Sequence, residues 1–517
     1  MSRTRVRPHA LVAAAAAVAL LLTGCSTAAT PGGSGTSSSG AAGGTYRLGL
    51  TAPGGNIDPL TTADYNAMFI VGLASAGLII QSPTGKLEPQ LATSWKPSSD
   101  GLTWTVELRS GAKFSDGSAV TPADVVSSFE AIIAEKSQSP AKSSFAGVLK
   151  SVAAGDGDTV DFTLDQPYQD FPYLLTGANT AILPKGTDTA TWIKDPVGAG
   201  QFVVKQYTAG QGVTFVKNTN YWDAAKVELD GVDVKFYSDE QSQLLAFQSG
   251  ETDQISQSPA VAAALNDSNS TLTSQGWTKY DGLTFNTTKA PFDDVKVRQA
   301  VAWALDRNAI VKTVYGGAAR IGNDVSTFPD YGVQPTGLTQ RNQDAAKVKE
   351  LLGGKTVSFT ITTYDGEQAY AELIQQQLQA VGGFKVTLKV QTGAQYYGGD
   401  NDTTPWLNAD ATVTDWAERL PSQLIGLSYQ TGAIWNAAHY SNTELDALAK
   451  QYEQAADAGE RQTIADKIAT IQWNDVPTII AAFKKNGLYL GKQVKGAFQN
   501  GQQFSGGFDF RGVTVSR

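Results

Sequence analysis

The 517-residue sequence has almost no cysteine, because Cys25 is the only one. No intramolecular disulfide can therefore form, and an ordinary hydrophobic core must stabilise the fold. Hydrophobic residues make up 41% of the composition, which is enough for two or three domains in a chain of this length.

Histidine is almost as scarce, since only His9 and His439 occur. A hydrolase triad would have to use His439, and the sequence has no Gly-x-Ser-x-Gly motif to supply a nucleophile. It also lacks a Cys/His cluster for zinc or iron, a phosphate-binding loop and a dinucleotide-binding glycine motif. We therefore expect that the protein is not an enzyme and that it uses no metal and no cofactor.

Positive charge is in deficit as well. Lys and Arg number 40 against 49 Asp and Glu, which gives a net charge of −9. An acidic chain is repelled by nucleic acid and by anionic lipid, so we expect no nucleic-acid partner. After the N-terminal segment no apolar run is long enough to cross a membrane.

The N-terminal segment has the order of a secretory signal peptide. Three arginines precede an apolar stretch at residues 10–22, which is shorter than the ~20 residues that a membrane-spanning helix needs. Leu-Thr-Gly-Cys at residues 22–25 resembles the lipobox of bacterial lipoproteins, in which the cysteine is acylated. We expect a signal peptide at residues 1–24 and an extracytoplasmic protein anchored to the cell membrane by lipidated Cys25. The alternative is a plain secretion signal with a chance cysteine.

Residues 25–44 consist almost entirely of Ser, Thr, Gly and Ala, which predicts a flexible tether. The folded part begins with an alternating strand at residues 45–50, and a second such strand follows at 102–108. Strands and helices then alternate to the C-terminus, which indicates an α/β protein with more than one lobe.

Capping residues predict where several helices begin. The predicted starts are Thr121 before Pro122, Asp294 before a helix at 295–305, Asp306 before a helix at 307–315, and a capping box at 441–444 that begins with Ser441. Arg298 lies four residues after Asp294, and this spacing predicts a local ion pair.

A βαβ unit is predicted from a strand at 355–363, a helix at 367–381 and a strand at 384–390. Such units favour a mainly parallel sheet. The runs at 487–490 and 508–515 predict two final strands.

A series of short motifs occurs in order between residues 46 and 486. They are LEPQLATSW at 87–95, DGLTW at 100–104, LRSGAKFSDG at 108–117, TPADV at 121–125, DPVGAGQF at 195–202, NTNYW at 218–222, FQSGETD at 247–253, LTFN at 283–286, PFDD at 291–294, VRQA at 297–300 and ALDR at 304–307. The series resembles the signature of family 5 of the extracellular solute-binding proteins, the peptide, nickel and oligosaccharide receptors of bacterial ABC importers.

The resemblance implies an α/β, two-lobed fold of the periplasmic-binding-protein type II, with a hinge and an extra α+β subdomain in lobe I. The implied divisions are lobe I at 45–65, 197–277 and 487–517, the inserted subdomain at 66–196, and lobe II at 278–486. The chain would cross between the lobes at 278–285 and 481–488, and hinge closure would enclose the solute.

The resemblance also implies a pocket. Trp416 occupies the position of the family's pocket tryptophan, and three residues later peptide-binding members carry an aspartate that pairs with the peptide α-amine. Here that residue is Arg419, which cannot accept hydrogen bonds from an ammonium group but can bind a carboxylate or phosphate. Asp415 or Glu418 could take over the amine contact. It stays open whether Arg419 faces solvent and whether Trp416 only packs in the core.

Four further residues are candidate ligand contacts: Tyr65, Asn286, Trp406 and Trp435. Asn286 could equally satisfy backbone groups, and each aromatic residue could pack in the core. By analogy with nickel-binding relatives His439 could bind nickel, although a lone histidine is more often structural.

The expected function is a lipid-anchored, monomeric receptor that captures a peptide or similar solute and delivers it to an ABC import permease. The alternatives are a sensory binding protein without transport, a receptor for a sugar or nickel chelate, and an extracellular hydrolase.

Replacing Cys25 with serine is expected to release the protein from the membrane, because serine has no thiol for the acyl anchor. Cell fractionation followed by immunoblotting measures the distribution between membrane and medium. Retention of the Cys25→Ser protein on the membrane would refute the lipobox interpretation.

Overall fold

The computed structural model describes residues 43–516 except 63, 83–84, 258–264, 266–269, 275–276, 278, 331–332, 400–401, 486, 497–498 and 501–507. The predicted signal peptide, Cys25 and nearly all of the tether lie outside the described residues. Within them, no helix is both long enough and apolar enough to cross a membrane.

A mixed seven-stranded sheet forms the first body, which we call lobe I. Thr45–Thr51 pairs in parallel with Gly231–Tyr237 and Gln254–Gln257, and the remaining pairs are antiparallel. Its core joins both ends of the chain, since Tyr46 and Phe510 pack with their ring centroids 5.4 Å apart. In spatial order its strands are Ser270–Ser274, Gly487–Gly491, Gln254–Gln257, Thr45–Thr51, Gly231–Tyr237, Gly212–Lys217 and Phe202–Thr208.

The prediction of one strand at 508–515 is wrong. Two short strands occur instead, Phe508–Asp509 and Thr514–Val515, and they pair with Gln499–Asn500 and Val494–Lys495. A turn separates them at Gly512, whose φ of +75° suits glycine.

An antiparallel four-stranded sheet with its own core forms a second body, which we call the subdomain. Phe129 and Phe162 pack edge to face in this core, and the helix Pro122–Ile133 covers it. In spatial order its strands are Ala92–Pro97, Thr103–Leu108, Thr159–Leu164 and Leu149–Ala154. A separate two-stranded sheet, Ile79–Gln81 with Leu87–Pro89, precedes them in the sequence.

A six-stranded sheet forms the third body, which we call lobe II. The predicted βαβ unit is confirmed, because Val357–Tyr364 pairs in parallel with Phe384–Gln391 across the helix Gln368–Val381. In spatial order the strands are Ala319–Ile321, Thr478–Lys484, Lys279–Phe285, Ala411–Ala417, Val357–Tyr364 and Phe384–Gln391.

The prediction of a mainly parallel sheet is wrong. Only the two pairings of Val357–Tyr364 are parallel, and the other three are antiparallel. The reason is topological: the strand that enters lobe II, Lys279–Phe285, lies beside the strand that leaves it, Thr478–Lys484, and the two run in opposite directions.

The helix starts agree with the predicted caps at Thr121, Asp294 and Asp306. The predicted capping box at 441–444 does not form, because Asn442 rather than Ser441 is the N-cap, and its side chain accepts from the amides of Glu444 and Leu445. The helices are Tyr65–Ala74, Pro122–Ile133, Lys142–Phe145, Phe171–Leu174, Glu240–Gln248, Val295–Ala304, Arg307–Val314, Ala345–Leu352, Gln368–Val381, Gly393–Tyr397, Pro405–Asn408, Pro421–Ser428, Thr443–Gln454 and Ala458–Asp475, with 3-10 turns at Ala178–Thr180, Thr189–Lys194, Ala224–Lys226 and Asp365–Glu367.

The predicted ion pair between Arg298 and Asp294 is replaced by other contacts. Arg298 is buried, and its guanidinium donates to the carbonyls of Phe292 at 2.6 Å and Asp475 at 2.7 Å. The Asp294 carboxylate accepts from the amide of Lys296 and caps its helix.

A buried charge triad lies in lobe II. Asp324 is fully buried and accepts from Arg307 at 2.8 Å and from Arg341 at 2.7 Å. Both guanidinium groups are also buried, so each depends on this single carboxylate for its counter-charge.

Asp324→Asn is expected to lower the free energy of unfolding by about 3–5 kcal/mol, because it leaves two buried cations without a counter-charge. Asparagine tolerates the positive φ of 62° at this position, so the backbone is not strained. Urea unfolding measures the change. Glu350→Gln, which removes the exposed pair with Lys347, is the control and should change stability by less than about 0.5 kcal/mol. Equal responses would contradict the assignment.

Candidate functional site

Three tryptophans of lobe II form a compact cluster, which we call the tryptophan triad. Trp406, Trp416 and Trp435 lie with their ring centroids 6.2–6.3 Å apart in every pair. Trp416 is 7% exposed, whereas Trp406 and Trp435 are half-buried. The structure thus brings together three of the residues predicted from the sequence.

Strand register explains the position of Trp416. It is paired with Tyr280 across neighbouring antiparallel strands, and the two rings are nearly parallel at 6.3 Å. Tyr280 itself is buried against Phe328 and Phe483. One side of the Trp416 indole therefore packs on the lobe II core, and the other side contacts the remaining members of the triad.

Arg419 lies beside this triad. Its Cζ is 5.1 Å from the ring centroid of Trp435, and its Nη1 donates to the carbonyl of Ala417 at 3.0 Å. The guanidinium is half-buried, so it neither extends fully into solvent nor is enclosed in the core. The attraction between the cation and the aromatic face helps to hold the guanidinium in place.

Asp415 is engaged by two side chains of neighbouring strands. Lys279 Nζ donates to Oδ2 at 3.0 Å, and the Tyr364 hydroxyl donates to Oδ1 at 2.8 Å. Burial alone would raise the pKa of Asp415, but the charge and hydrogen bond of Lys279 outweigh it and hold the pKa below its usual range. Asp415 is therefore an anion whose oxygens already have donors, which makes it a weak candidate for an amine contact.

Tyr364, Tyr397 and Lys279 belong to the same region and were missed in the sequence. Tyr397 is 41% exposed, and its ring lies 5.3 Å from that of Tyr364 and 6.0 Å from that of Trp406. Tyr364 is the last residue of a parallel strand, where ligand sites of α/β sheets commonly occur. That position, together with the adjacent pair Tyr396–Tyr397, was the signal available in the sequence.

Tyr65 and Asn286 lie in other surroundings. Tyr65 begins a lobe I helix and packs edge to face against Phe508, with their centroids 6.2 Å apart. Asn286 is 1% exposed, and its Oδ1 accepts from the amide and hydroxyl of Thr288 in a local turn. Asn286 thus satisfies backbone groups, which is the alternative left open above.

Glu418 and His439 are the two remaining candidates, and they differ in burial. Glu418 is 4% exposed. His439 is exposed, and one ring nitrogen lies 3.0 Å from the carbonyl oxygen of Leu407. In the part of the chain that the structure describes, no three His, Cys, Asp or Glu residues are grouped as metal ligands.

A buried ionic cluster lies where the chain enters and leaves lobe II. Lys484 Nζ is 2.5 Å from Asp281 and 3.3 Å from Glu367. Burial, then the charge of Asp281, raises the pKa of Glu367 to about 8. The cluster ties the entering and leaving strands to the helix that follows Glu367.

A separate cavity of about 90 Å³ lies at the subdomain, lined by residues such as Leu60, Ser127 and Asn179. Sites for drug-sized ligands commonly measure roughly 300–1,000 Å³. This cavity is too small for a peptide, and it does not include the tryptophan triad.

The chain is similar to known proteins over most of its length. Residues 86–433 match the family model described as bacterial extracellular solute-binding proteins, family 5. The chain is 26% identical to the glutathione-binding protein GsiB of Escherichia coli K12, over 84% of this chain and 89% of that one. It is 25% identical to the probable D,D-dipeptide-binding protein DdpA of the same organism, over 87% and 90%. The substrate-binding protein CtaP of Listeria monocytogenes superposes with a TM-score of 0.81 at 25% identity, over 92% and 100%.

Asp415→Asn is expected to lower the free energy of unfolding by roughly 1–2 kcal/mol near neutral pH, because Lys279 loses its counter-charge in a partly exposed pair. The pKa of Asp415 is depressed in the folded state. Its contribution is therefore present above the usual aspartate pKa of about 3.9 and lost as the pH falls below it. Urea unfolding between pH 3 and 7 measures this. A difference between wild type and variant that stays constant over that range would contradict the prediction.

Proposed function

The chain belongs to family 5 of the bacterial extracellular solute-binding proteins, and from this membership we propose that it captures a peptide or a similar elongated solute between its lobes. Proteins of this family act outside the cytoplasm and bind a solute for an ABC importer without transforming it. The chain is therefore a binding protein rather than an enzyme.

The observation that carries the choice of ligand is the tryptophan triad with Arg419 beside it. Half-buried aromatic faces bind apolar or planar parts of a solute, and a few polar groups then fix its orientation. Arg419 supplies donors in a fork that matches a carboxylate. The site thus favours a solute with an anionic group next to an apolar or planar part.

A short peptide has this chemistry at its C-terminus, where an α-carboxylate adjoins a side chain and a planar amide. The relatives named above support this class, because one is named for glutathione and another for D,D-dipeptides. Asp415 is paired with Lys279, so we assign the orienting contact to Arg419 and a carboxylate rather than to Asp415 and an amine.

We also propose that the protein is a monomer held at the membrane by an acyl chain on Cys25. The lipobox-like run at residues 22–25 and the Ser/Thr/Gly/Ala-rich segment that follows support this arrangement. A tether of about 20 residues spans roughly 25 Å as a coil, which lets the receptor reach a permease in the same membrane.

The proposal is tested with the purified protein by native mass spectrometry for a co-purified solute, followed by calorimetric titration with glutathione, D-alanyl-D-alanine and unmodified tetrapeptides. At least one of these peptides is expected to bind. Arg419→Gln should weaken the best ligand by roughly 10–100-fold, as expected for a lost charged hydrogen bond.

Arg320→Gln is the matched control, because Arg320 is an exposed arginine on the short strand Ala319–Ile321. The Arg320→Gln protein should bind the same ligand with the affinity of wild type. Binding of a peptide amide as tightly as the free acid would argue against the carboxylate assignment. Binding of sugars but of no peptide would refute the ligand class.

A further inference from the structure

A loop of the subdomain contacts the helices of lobe II directly. Tyr168 and Phe171 belong to the subdomain core, so this loop is fixed to that body. The chain enters lobe II between Ser274 and Lys279 and returns between Lys484 and Gly487. The loop and the lobe II helices are therefore far apart in sequence, and only non-covalent contacts hold them together.

Asp170 is the centre of this contact. Its Oδ1 accepts from Arg461 Nη2 at 2.7 Å, and its Oδ2 accepts from the Ser422 hydroxyl at 2.7 Å. The carboxylate side chain is 7% exposed, and Arg461 is 14% exposed. One subdomain carboxylate thus joins two lobe II helices, Pro421–Ser428 and Ala458–Asp475.

Neighbouring groups complete the contact. The amide of Gln169 donates to the carbonyl of Glu453 at 2.8 Å, and Tyr168 Oη lies 3.4 Å from Ser422 Oγ. The Arg461 guanidinium lies 4.2 Å from the ring centroid of Tyr452, which keeps it aimed at the subdomain. A third lobe II helix, Thr443–Gln454, therefore takes part as well.

The chemistry of this contact suits a surface that separates. Its main groups are charged or hydroxylic, and water can hydrate each of them when the bodies part. The triad around Asp324 differs, because its two guanidinium groups are only 1–2% exposed and all three residues belong to lobe II. Opening of the lobes does not separate them. Interlobe contacts that must open and close are expected to be polar in this way.

The contact also adjoins the candidate site. Ser422 lies three residues after Arg419, in the first turn of a helix whose apolar face packs in the same cluster as the tryptophan triad. A force on Ser422 is therefore transmitted to the segment that carries Arg419.

We propose that Asp170 is the latch of lobe closure: by binding Arg461 and Ser422 it holds the subdomain against lobe II and positions the segment at residues 419–422 for the solute. This inference rests on the proposed function for its purpose. Its geometry is independent of which solute binds.

Glu453 makes the latch sensitive to pH. Burial, then the charge of Asp170, raises the pKa of Glu453 to about 7, and Lys450 on the same helix acts in the opposite direction. The other ionisable groups at this contact are Tyr168, Tyr173, Tyr452 and Arg461. When the bodies part, Glu453 is rehydrated and its pKa returns towards the usual glutamate value of about 4.3. The closed state therefore binds more protons between these two pKa values, and it is weakened as the pH rises from about 4.3 to about 7 and not further above that range.

The test measures the distance between the two bodies without any solute. Nitroxide labels are attached at Glu130→Cys in the subdomain and Lys467→Cys in lobe II, both exposed helix positions, in a full-length chain with Cys25→Ser so that no other thiol is present. Pulsed dipolar spectroscopy then gives the populations of closed and open forms. Asp170→Asn and Arg461→Gln should each lower the closed-to-open ratio about tenfold.

The matched control is Asp223→Asn, which removes a pair of similar burial with Arg511 inside lobe I. It should leave the distance distribution unchanged, whatever its effect on stability. Glu453→Gln should abolish the decrease in closed population that wild type shows between about pH 5 and 7.

Unchanged distances in both Asp170→Asn and Arg461→Gln would overturn the latch, as would an identical shift in Asp223→Asn. Because no solute is present, this result is separate from the peptide titrations. A protein that binds no peptide but opens on loss of Asp170 would refute the ligand class and support the latch.

Discussion

The central strand of the lobe II sheet is the constraint on which the other features depend. Lys279–Phe285 enters the lobe and pairs on one side with Thr478–Lys484, which leaves it, and on the other side with Ala411–Ala417, which carries Asp415 and Trp416. Two ion pairs reinforce this arrangement, Lys279 with Asp415 and Lys484 with Asp281. The two strands that carry the chain between the lobes thus lie in the same sheet as the strand that carries Asp415 and Trp416. Neither the passage between the lobes nor the candidate site can therefore shift without the other.

The buried ion pairs of lobe II contribute more to the correct placement of its strands and helices than to the free energy of unfolding. Removing two ions from water costs free energy that their attraction only partly returns, so an apolar replacement of similar volume is often as stable. The pair of Lys484 and Asp281 does, however, penalise a slipped register, because the two residues lie on adjacent strands and a slip would leave a buried charge without its partner. A rigid sheet of this kind gives the hinge a fixed base.

Closure must remain only marginally favourable for a receptor to respond to its solute. A solute shifts the equilibrium only by the difference in its affinity for the two states. A latch of one carboxylate, one guanidinium and one hydroxyl at Asp170, Arg461 and Ser422 is modest in strength and reversible in water. The absence of a second cysteine leaves this motion without a disulfide constraint.

Local patterns in the sequence were sufficient for much of the architecture. Capping residues such as Asp294 and Asp306 placed helix starts, and the spacing at 355–390 predicted the βαβ unit, because these features depend on neighbours a few residues away. The motif series indicates the family, and the sequence alone marks Trp406, Trp416 and Trp435 as candidate ligand contacts. The sequence by itself also determined the anchor-like cysteine and the exclusion of disulfides.

Tertiary structure decided everything that depends on partners distant in the chain. The antiparallel majority of the lobe II sheet follows from strands about 200 residues apart lying side by side, and no local pattern encodes that direction. Arg298 donates to two carbonyls instead of pairing with Asp294, and Asp415 accepts from Lys279 and Tyr364. Burial favours such contacts because an unsatisfied donor or acceptor away from water costs free energy. The contact of Asp170 with Arg461 spans 291 positions, so only the packed fold brings it into being.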